Sequence, residues 1–349
     1  MKHIPATVWL LIAAVSGCSS SAGAGQVEVH DPVMGREGNT WYVFSTGPGI
    51  TIYQSTDLEN WRWVGRAFDD QPEWAASVAP GFTGHIWAPD IVEHDGRYYL
   101  YYSVSAFGKN TSGIGVTVNE TLDPSSDDYG WVDHGLVLQS VPNRDNWNAI
   151  DPAIIEDRDG THWMSFGSFW DGLKLVRLAP DLVSLAEPQE WHGIAKRPRS
   201  RDLRDDDPGD GAIEAPYIFE KNGWYYLFVS FDKCCRGMDS TYKIMVGRSK
   251  SVKGPYLDRD GTPMLEGGGT LVLEGNNDWV ALGHNSAYTT DDGDRLVFHA
   301  YETADNAKQK LKILPLDWDE GWPVVDPDDL NRFNTALVGT GPPENDRND

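Results

Sequence analysis

Apolar residues in this chain fall in short runs rather than at helical spacing, and no segment keeps a convincing 3.6-residue period. Five runs are rich in aromatic and β-branched side chains: WYVFSTG at Trp41, YYLYYSVS at Tyr98, HWMSFGSF at His162, WYYLFVSF at Trp224 and RLVFHAY at Arg295. Each follows a short polar turn containing glycine (EGN, DGR, DRDG, KNG, DDGD), the pattern of a strand entered through a tight turn. Between them lie further strand candidates such as ITIYQSTD, IGVTVNE, LKLVRLAP and YKIMVGRS. Eleven residues before the positions Tyr42, Tyr98, His162, Tyr225 and Arg295 stand Asp31, Trp87, Asp151, Glu214 and His284. The repeat of roughly sixty residues holds about four strands, the content of one propeller blade. The pattern therefore predicts an all-β, five-bladed β-propeller. A β-sandwich is the alternative, and it leaves the recurring lead position unexplained.

Composition narrows the picture. With 36 Gly, 15 Trp and 14 Tyr among 349 residues, short strands and tight turns are favoured over long helices. A formal charge of -24 argues against nucleic acid, which a basic surface must neutralise, and against anionic polymers and membranes. A neutral substrate fits, and so does a solubility adaptation to salt. Val8 to Val15 is apolar over signal-peptide length and ends at VSGC, which resembles a lipobox with Cys18 as the lipidated residue. The expected organisation is a lipoprotein signal peptide at 1–17, a flexible tether at 18–27, one propeller at 28–335 and a disordered acidic tail at 336–349. The expected product is an exported bacterial protein, lipid-anchored or secreted, and monomeric. Cys234 and Cys235 are adjacent, so they are either free thiols or a vicinal bridge, and disulfides do not staple the fold.

In a propeller the innermost strands line one axis, so the five lead residues converge. Three carboxylates, an indole and an imidazole make a poor structural ring, because gathered carboxylates raise one another's pKa. They suit glycoside hydrolysis, which needs a protonated carboxyl on the leaving oxygen and a second carboxylate as base or nucleophile. A third acid nearby helps keep the donor protonated. Trp87 offers a flat face to a sugar.

The blocks HDP at 30–32, HIWAPDI at 85–91, NAIDP at 148–152 and EAP at 214–216 resemble those of family 43 glycoside hydrolases. GSFWDGLKLVRL at 167–178, FDKCCRGMDSTYKIMVGRS at 231–249 and GHNS at 283–286 resemble the endo-1,5-α-L-arabinanases within it. The resemblance covers about residues 28–320 and implies an inverting enzyme acting on arabinan, the neutral side chain of pectin. It implies Asp31 as general base, Glu214 as general acid and Asp151 as the residue that tunes and orients Glu214. It implies His284 as the axial ligand of a metal ion, calcium or another, bound largely through water, with no organic cofactor. Substrate contacts are expected from Trp87, Phe107, Gly115, Asn148, Ala149, Ile150, Ser168, Phe169 and Trp170.

Two other readings share the fold. One is an exo-acting arabinofuranosidase or xylosidase. The other is a lipid-anchored sugar-binding propeller without catalysis, for which three intact acids have no use. Asp90 reads equally as structural or substrate-binding, and the charged loop at 192–211 reads as a solvated insertion more than a wall of the groove.

Overall fold

The computed structural model describes residues 25–200, 202–204 and 207–337. The predicted signal peptide with Cys18, most of the tether and nearly all of the acidic tail lie outside the described residues. The chain forms a five-bladed β-propeller. Blade 1 is built from Val33–Glu37, Thr40–Ser45, Thr51–Ser55 and Asn60–Arg66. Blade 2 is His85–His94, Arg97–Val104, Ser112–Asn119 and Val132–Ser140, with Gly47–Pro48 added at its inner edge. Blade 3 is Ala153–Glu156, His162–Phe166, Leu173–Arg177 and Trp191–Ala195, and blade 4 is Ile213–Lys221, Trp224–Phe231, Lys243–Ser249 and Thr270–Leu273. Consecutive strands within a blade pair antiparallel.

Blade 5 departs from the four-strand expectation, with three strands of its own: Trp279–Thr290, Gly293–Glu302 and Lys308–Pro315. The start of the described chain runs beside the third of these. Leu311 N–H donates to the Val27 carbonyl, and Val27 N–H donates to the Asn334 carbonyl, both at 2.9 Å. Thr335–Ala336 then pairs parallel with Asn60 and Trp61 of blade 1. Both ends of the described chain thus tie the last blade to the first. Val27 is fully buried and belongs to the core, so the predicted tether gives way to the fold by that residue.

The second strand of each blade explains the aromatic runs. Alternate side chains of a strand point to opposite faces, and here both faces meet a neighbouring blade. Leu100 and Tyr102 pack with Phe44 and Ile52 of blade 1, whereas Tyr99 and Tyr101 pack with Met164 and Phe166 of blade 3. Leu227 and Val229 face Trp163 and Leu175, while Tyr226 and Phe228 face Leu296 and Phe298. Trp41 and Val43 close the circle against Val297 and Leu311. Each such side chain contributes about 1.5–3 kcal/mol by leaving water, and a strand covered on both faces reads as a nearly unbroken apolar run.

At the axis the five blades are joined by a ring of hydrogen bonds. Asp31, Ala88, Asp151, Ala215 and His284 all have left-handed backbones, with φ between 43° and 59°. Such a conformation costs a non-glycine residue about 1–3 kcal/mol and persists only where the surroundings hold it. What holds it is the preceding blade. Asp31 N–H donates to His299 Nδ1 at 3.0 Å, Ala88 N–H to Thr46 Oγ1 at 2.8 Å, and Asp151 N–H to Ser103 Oγ at 3.1 Å. Ala215 N–H donates to Asp151 Oδ2 at 3.1 Å and His284 N–H to Ser230 Oγ at 2.9 Å. Four of the acceptors stand on or just after a second strand. In blade 3 the residue after that strand is Gly167, at φ 123° and without a side chain, and the Asp151 carboxylate serves instead.

Ser103→Ala leaves the Asp151 N–H without its acceptor in a buried place, so a loss of ~1–3 kcal/mol is predicted. Guanidinium unfolding reads this as a lower midpoint at unchanged slope, and an unchanged midpoint would argue that the ring does not support the fold.

Candidate active site

The left-handed residues turn their neighbourhood into the floor of a cavity of about 570 Å³ at one end of the axis. Asp31, Trp87, Asp151, Glu214 and His284 all line it, together with Phe107, Asn148, Ile150, Ser168, Phe169 and Trp170. The five lead residues converge as expected, with one difference of register. The backbone equivalents in blades 2 and 4 are Ala88 and Ala215, and Trp87 and Glu214 stand one residue earlier. Strand pairing shifts at this point in blades 2, 4 and 5, between Trp87 and Asp90, Glu214 and Tyr217, and Gly283 and Ser286.

Two expected contact residues lie elsewhere. Gly115 sits mid-strand, where a Cβ would meet the Tyr102 ring at 2.5 Å and Trp74 at 2.7 Å. Its lack of a side chain serves packing in blade 2, not the cavity. Ala149 is fully buried in the core between blades 2 and 3, facing away from the cavity that its neighbours Asn148 and Ile150 line. Asp90 is also structural: buried, it accepts the Ile154 N–H at 2.7 Å, and burial pushes its carboxyl up to about 7. The loop at 192–211 does more than meet solvent. Pro208 and Gly209 join the cavity wall, and the Pro208 carbonyl accepts the Trp170 N–H at 3.2 Å.

Three acids in one cavity acquire different characters from their partners. Asp31 Oδ1 lies 2.8 Å from His30 Nδ1 and 3.1 Å from His284 Nδ1, and Oδ2 accepts the Thr46 hydroxyl at 2.6 Å. Burial alone would raise this carboxyl, but the two imidazoles outweigh it and hold Asp31 well below the usual carboxylate range. Glu214 accepts the Ser168 hydroxyl at 2.6 Å. Burial pushes Glu214 up, the charge of Asp31 adds to this, and hydrogen bonds from Ser168 and Tyr242 oppose it. Asp151 is raised by burial and then by Glu214 and Asp31. His284 resists the downward pull of burial, because Asp31, Asp151 and Glu214 around it raise it to about 9. At neutral pH the site therefore combines an ionised Asp31, a cationic His284 and a Glu214–Asp151 pair that retains a proton.

Sequence reasoning missed several members of the site. His30 and Thr46 bracket Asp31, Tyr242 reaches Glu214, and His85, the segment 233–236 and Gln309 complete the wall. His30 was legible as the first letter of HDP, and His85, the segment 233–236 and Tyr242 lie inside the blocks at 85–91 and 231–249; Thr46 and Gln309 carry no local signal. The buried Asn148 Oδ1 has no partner within the protein, which leaves an acceptor for a sugar hydroxyl. Beside His284, the buried Asn285 amide has a partner for neither of its polar atoms. Among the described residues, three His, Cys, Asp or Glu donors do not meet at His284. Its Nδ1 is taken by Asp31, so the residues fit an ion held mostly by water rather than one ligated by protein.

Comparisons with known proteins agree with this geometry. The profile of the Glycosyl hydrolases family 43 matches residues 25–323. An extracellular exo-α-(1→5)-L-arabinofuranosidase of Cellvibrio japonicus is 62% identical over 93% of this chain and 94% of its own. An extracellular endo-α-(1→5)-L-arabinanase of Bacillus subtilis is 43% identical, over 86% of this chain and 88% of its own. Among solved structures, a Cellvibrio cellulosa α-L-arabinanase complexed with arabinohexaose superposes with a TM-score of 0.89 at 62% identity, covering 90% of this chain and 100% of that one.

The Ser168 hydroxyl favours the carboxylate form of Glu214, so its removal raises the Glu214 pKa further. Ser168→Ala is predicted to move the alkaline limb of the pH–rate profile to higher pH. A shift toward lower pH would contradict the assignment of Glu214 as the group that must stay protonated.

Proposed function

The chain belongs to glycosyl hydrolase family 43 and is a glycoside hydrolase, and we propose that it cleaves α-1,5-linked L-arabinofuranosyl chains from their ends with inversion at the anomeric carbon. The observation that carries this reading is the contrast between two carboxyls in one cavity: Asp31 is held well below the usual carboxylate range, and Glu214 is raised beside Asp151. Asp31 takes a proton from water as that water attacks the anomeric carbon. Glu214 gives its proton to the departing sugar oxygen, and Asp151 keeps that proton in place between turnovers. Phe107, largely exposed at the rim, and Trp87 and Trp170 in the wall offer faces to the furanose rings. Chain-end action is supported by the higher identity to the relative named as exo-acting. Endo action, toward which the arabinanase-like blocks pointed, is the competing outcome.

A cation at the axis, calcium by family resemblance, would be held by neutral His284 through Nε2, with Nδ1 still on Asp31, and by water; it would take the place of the imidazolium charge in offsetting the acids. Export is in keeping with the extracellular names of the two relatives. Lipidation at Cys18 and a monomeric state complete the proposal.

Product analysis on linear arabinan tests the mode of action. One short product from the first minutes supports chain-end attack, and an early spread of oligomers would assign endo action instead. Glu214→Ala is predicted to cost at least about 100-fold in kcat on arabinan, with bound oligosaccharide still detectable by calorimetry; undiminished turnover would reject the acid. Chelation is predicted to lower activity and calcium to restore it, and indifference to chelator would remove the ion.

A further inference from the structure

The mechanism above makes no use of Cys234 and Cys235, although both line the cavity that holds the three acids. The two are joined as a vicinal disulfide. Cys234 is half-buried against Tyr242, Ala281, Tyr301 and Ala307, while Cys235 is exposed toward the cavity. The Cys235 sulfur lies 4.0 Å from His30 Nε2 and 4.0 Å from the Tyr301 hydroxyl. That hydroxyl is itself 2.8 Å from His30 Nε2, and the other ring nitrogen of His30 is 2.8 Å from Asp31 Oδ1. His30 also stacks on His299 at 4.0 Å, and His299 Nδ1 accepts the Asp31 N–H. The bridge therefore stands one side chain away from the proposed base.

A disulfide presents a compact, polarizable surface with no proton to donate, which suits the CH face of a sugar. Two thiols at the same place have S–H groups, can ionise, and rotate independently. Phe107, largely exposed, lines the same cavity and offers a second apolar surface to an oligosaccharide there.

We propose that the Cys234–Cys235 disulfide is a substrate-binding wall of the active site and the redox-sensitive support of His30, so that reducing it weakens sugar binding and loosens the positioning of Asp31. The inference rests on the proposed arabinan substrate. Reduction by an added dithiol breaks the protein S–S bond and forms two protein thiols, while the dithiol loses two electrons and two protons to become a cyclic disulfide. His30 acts here as a positioning residue.

The test compares oxidised protein, the same protein after dithiol reduction verified by thiol counting, and C234A/C235A. On linear arabinan, reduction is predicted to raise KM severalfold, with a smaller fall in kcat and an unchanged circular dichroism spectrum. C234A/C235A should resemble the reduced enzyme and ignore the dithiol. Fully reduced, folded wild type with the KM of the oxidised form would overturn the proposal, whatever the double variant does. Arabino-oligosaccharide binding measured by calorimetry on both redox forms separates the two readings. Weaker binding after reduction supports the wall, and equal binding rejects it. Failure of the oxidised form to bind or cleave arabinan counts against the proposed substrate.

Discussion

The hydrogen bond from the Ala215 N–H to the Asp151 carboxylate, 3.1 Å long, joins blade 4 to blade 3 at the axis. It belongs to a ring of five such bonds, each securing a left-handed residue of one blade with a side chain of the blade before it. The left-handed turn brings the start of each inner strand to the axis and directs adjacent side chains into a common cavity. Without an acceptor for its N–H, each turn would combine an unfavourable backbone with an unsatisfied buried donor. Three of the five acceptors are hydroxyls or a carboxylate from residues that also reach a neighbouring site group: Thr46 to Asp31, Ser230 to Tyr242 and Asp151 to Glu214. Closure of the propeller and assembly of the site are therefore one set of contacts.

That arrangement sets the electrostatics. Asp31 faces two imidazoles and a hydroxyl donor, so its negative charge is satisfied and it stays ionised despite burial. Burial, and then the charge of Asp31, raise Glu214 against the hydroxyls of Ser168 and Tyr242 and the charge of His284. Asp151 gives one oxygen to a backbone amide, which fixes its orientation beside Glu214, and burial with the charges of Glu214 and Asp31 keeps it raised against the pull of His284. Two carboxyls of like chemistry thus take opposite roles because of what each one's neighbours donate.

The architecture was legible because inter-blade packing demands apolar side chains on both faces of every second strand, and turns demand glycine and acids between them. Those demands recur at a fixed period, so five blades could be counted. The lead residues were legible as a class, but their register was not. Strand pairing slips at Trp87 and Glu214, and in those two blades, 2 and 4, a constant count of eleven residues selects the residue before the left-handed turn. Ala149 shows the limit of adjacency: between Asn148 and Ile150, which line the cavity, it points to the opposite face. Gly115 was expected to touch the substrate, and the packing shows Tyr102 and Trp74 against it instead. His299 and the loop residues Pro208 and Gly209 reach the site through tertiary contacts that leave no local trace in the chain.

The central claim is that Asp151 serves the fold through the Ala215 amide and the chemistry through the charge it places beside Glu214. Asp151→Asn separates the two, since its amide oxygen can still accept the Ala215 N–H while the negative charge is gone. The direct measurement is the titration of the Glu214 carboxyl by carbon NMR in the wild type and in this variant. The account predicts a lower Glu214 pKa in Asp151→Asn, with the Ala215 amide still protected from exchange. A Glu214 pKa that is unchanged or higher in the variant would contradict it.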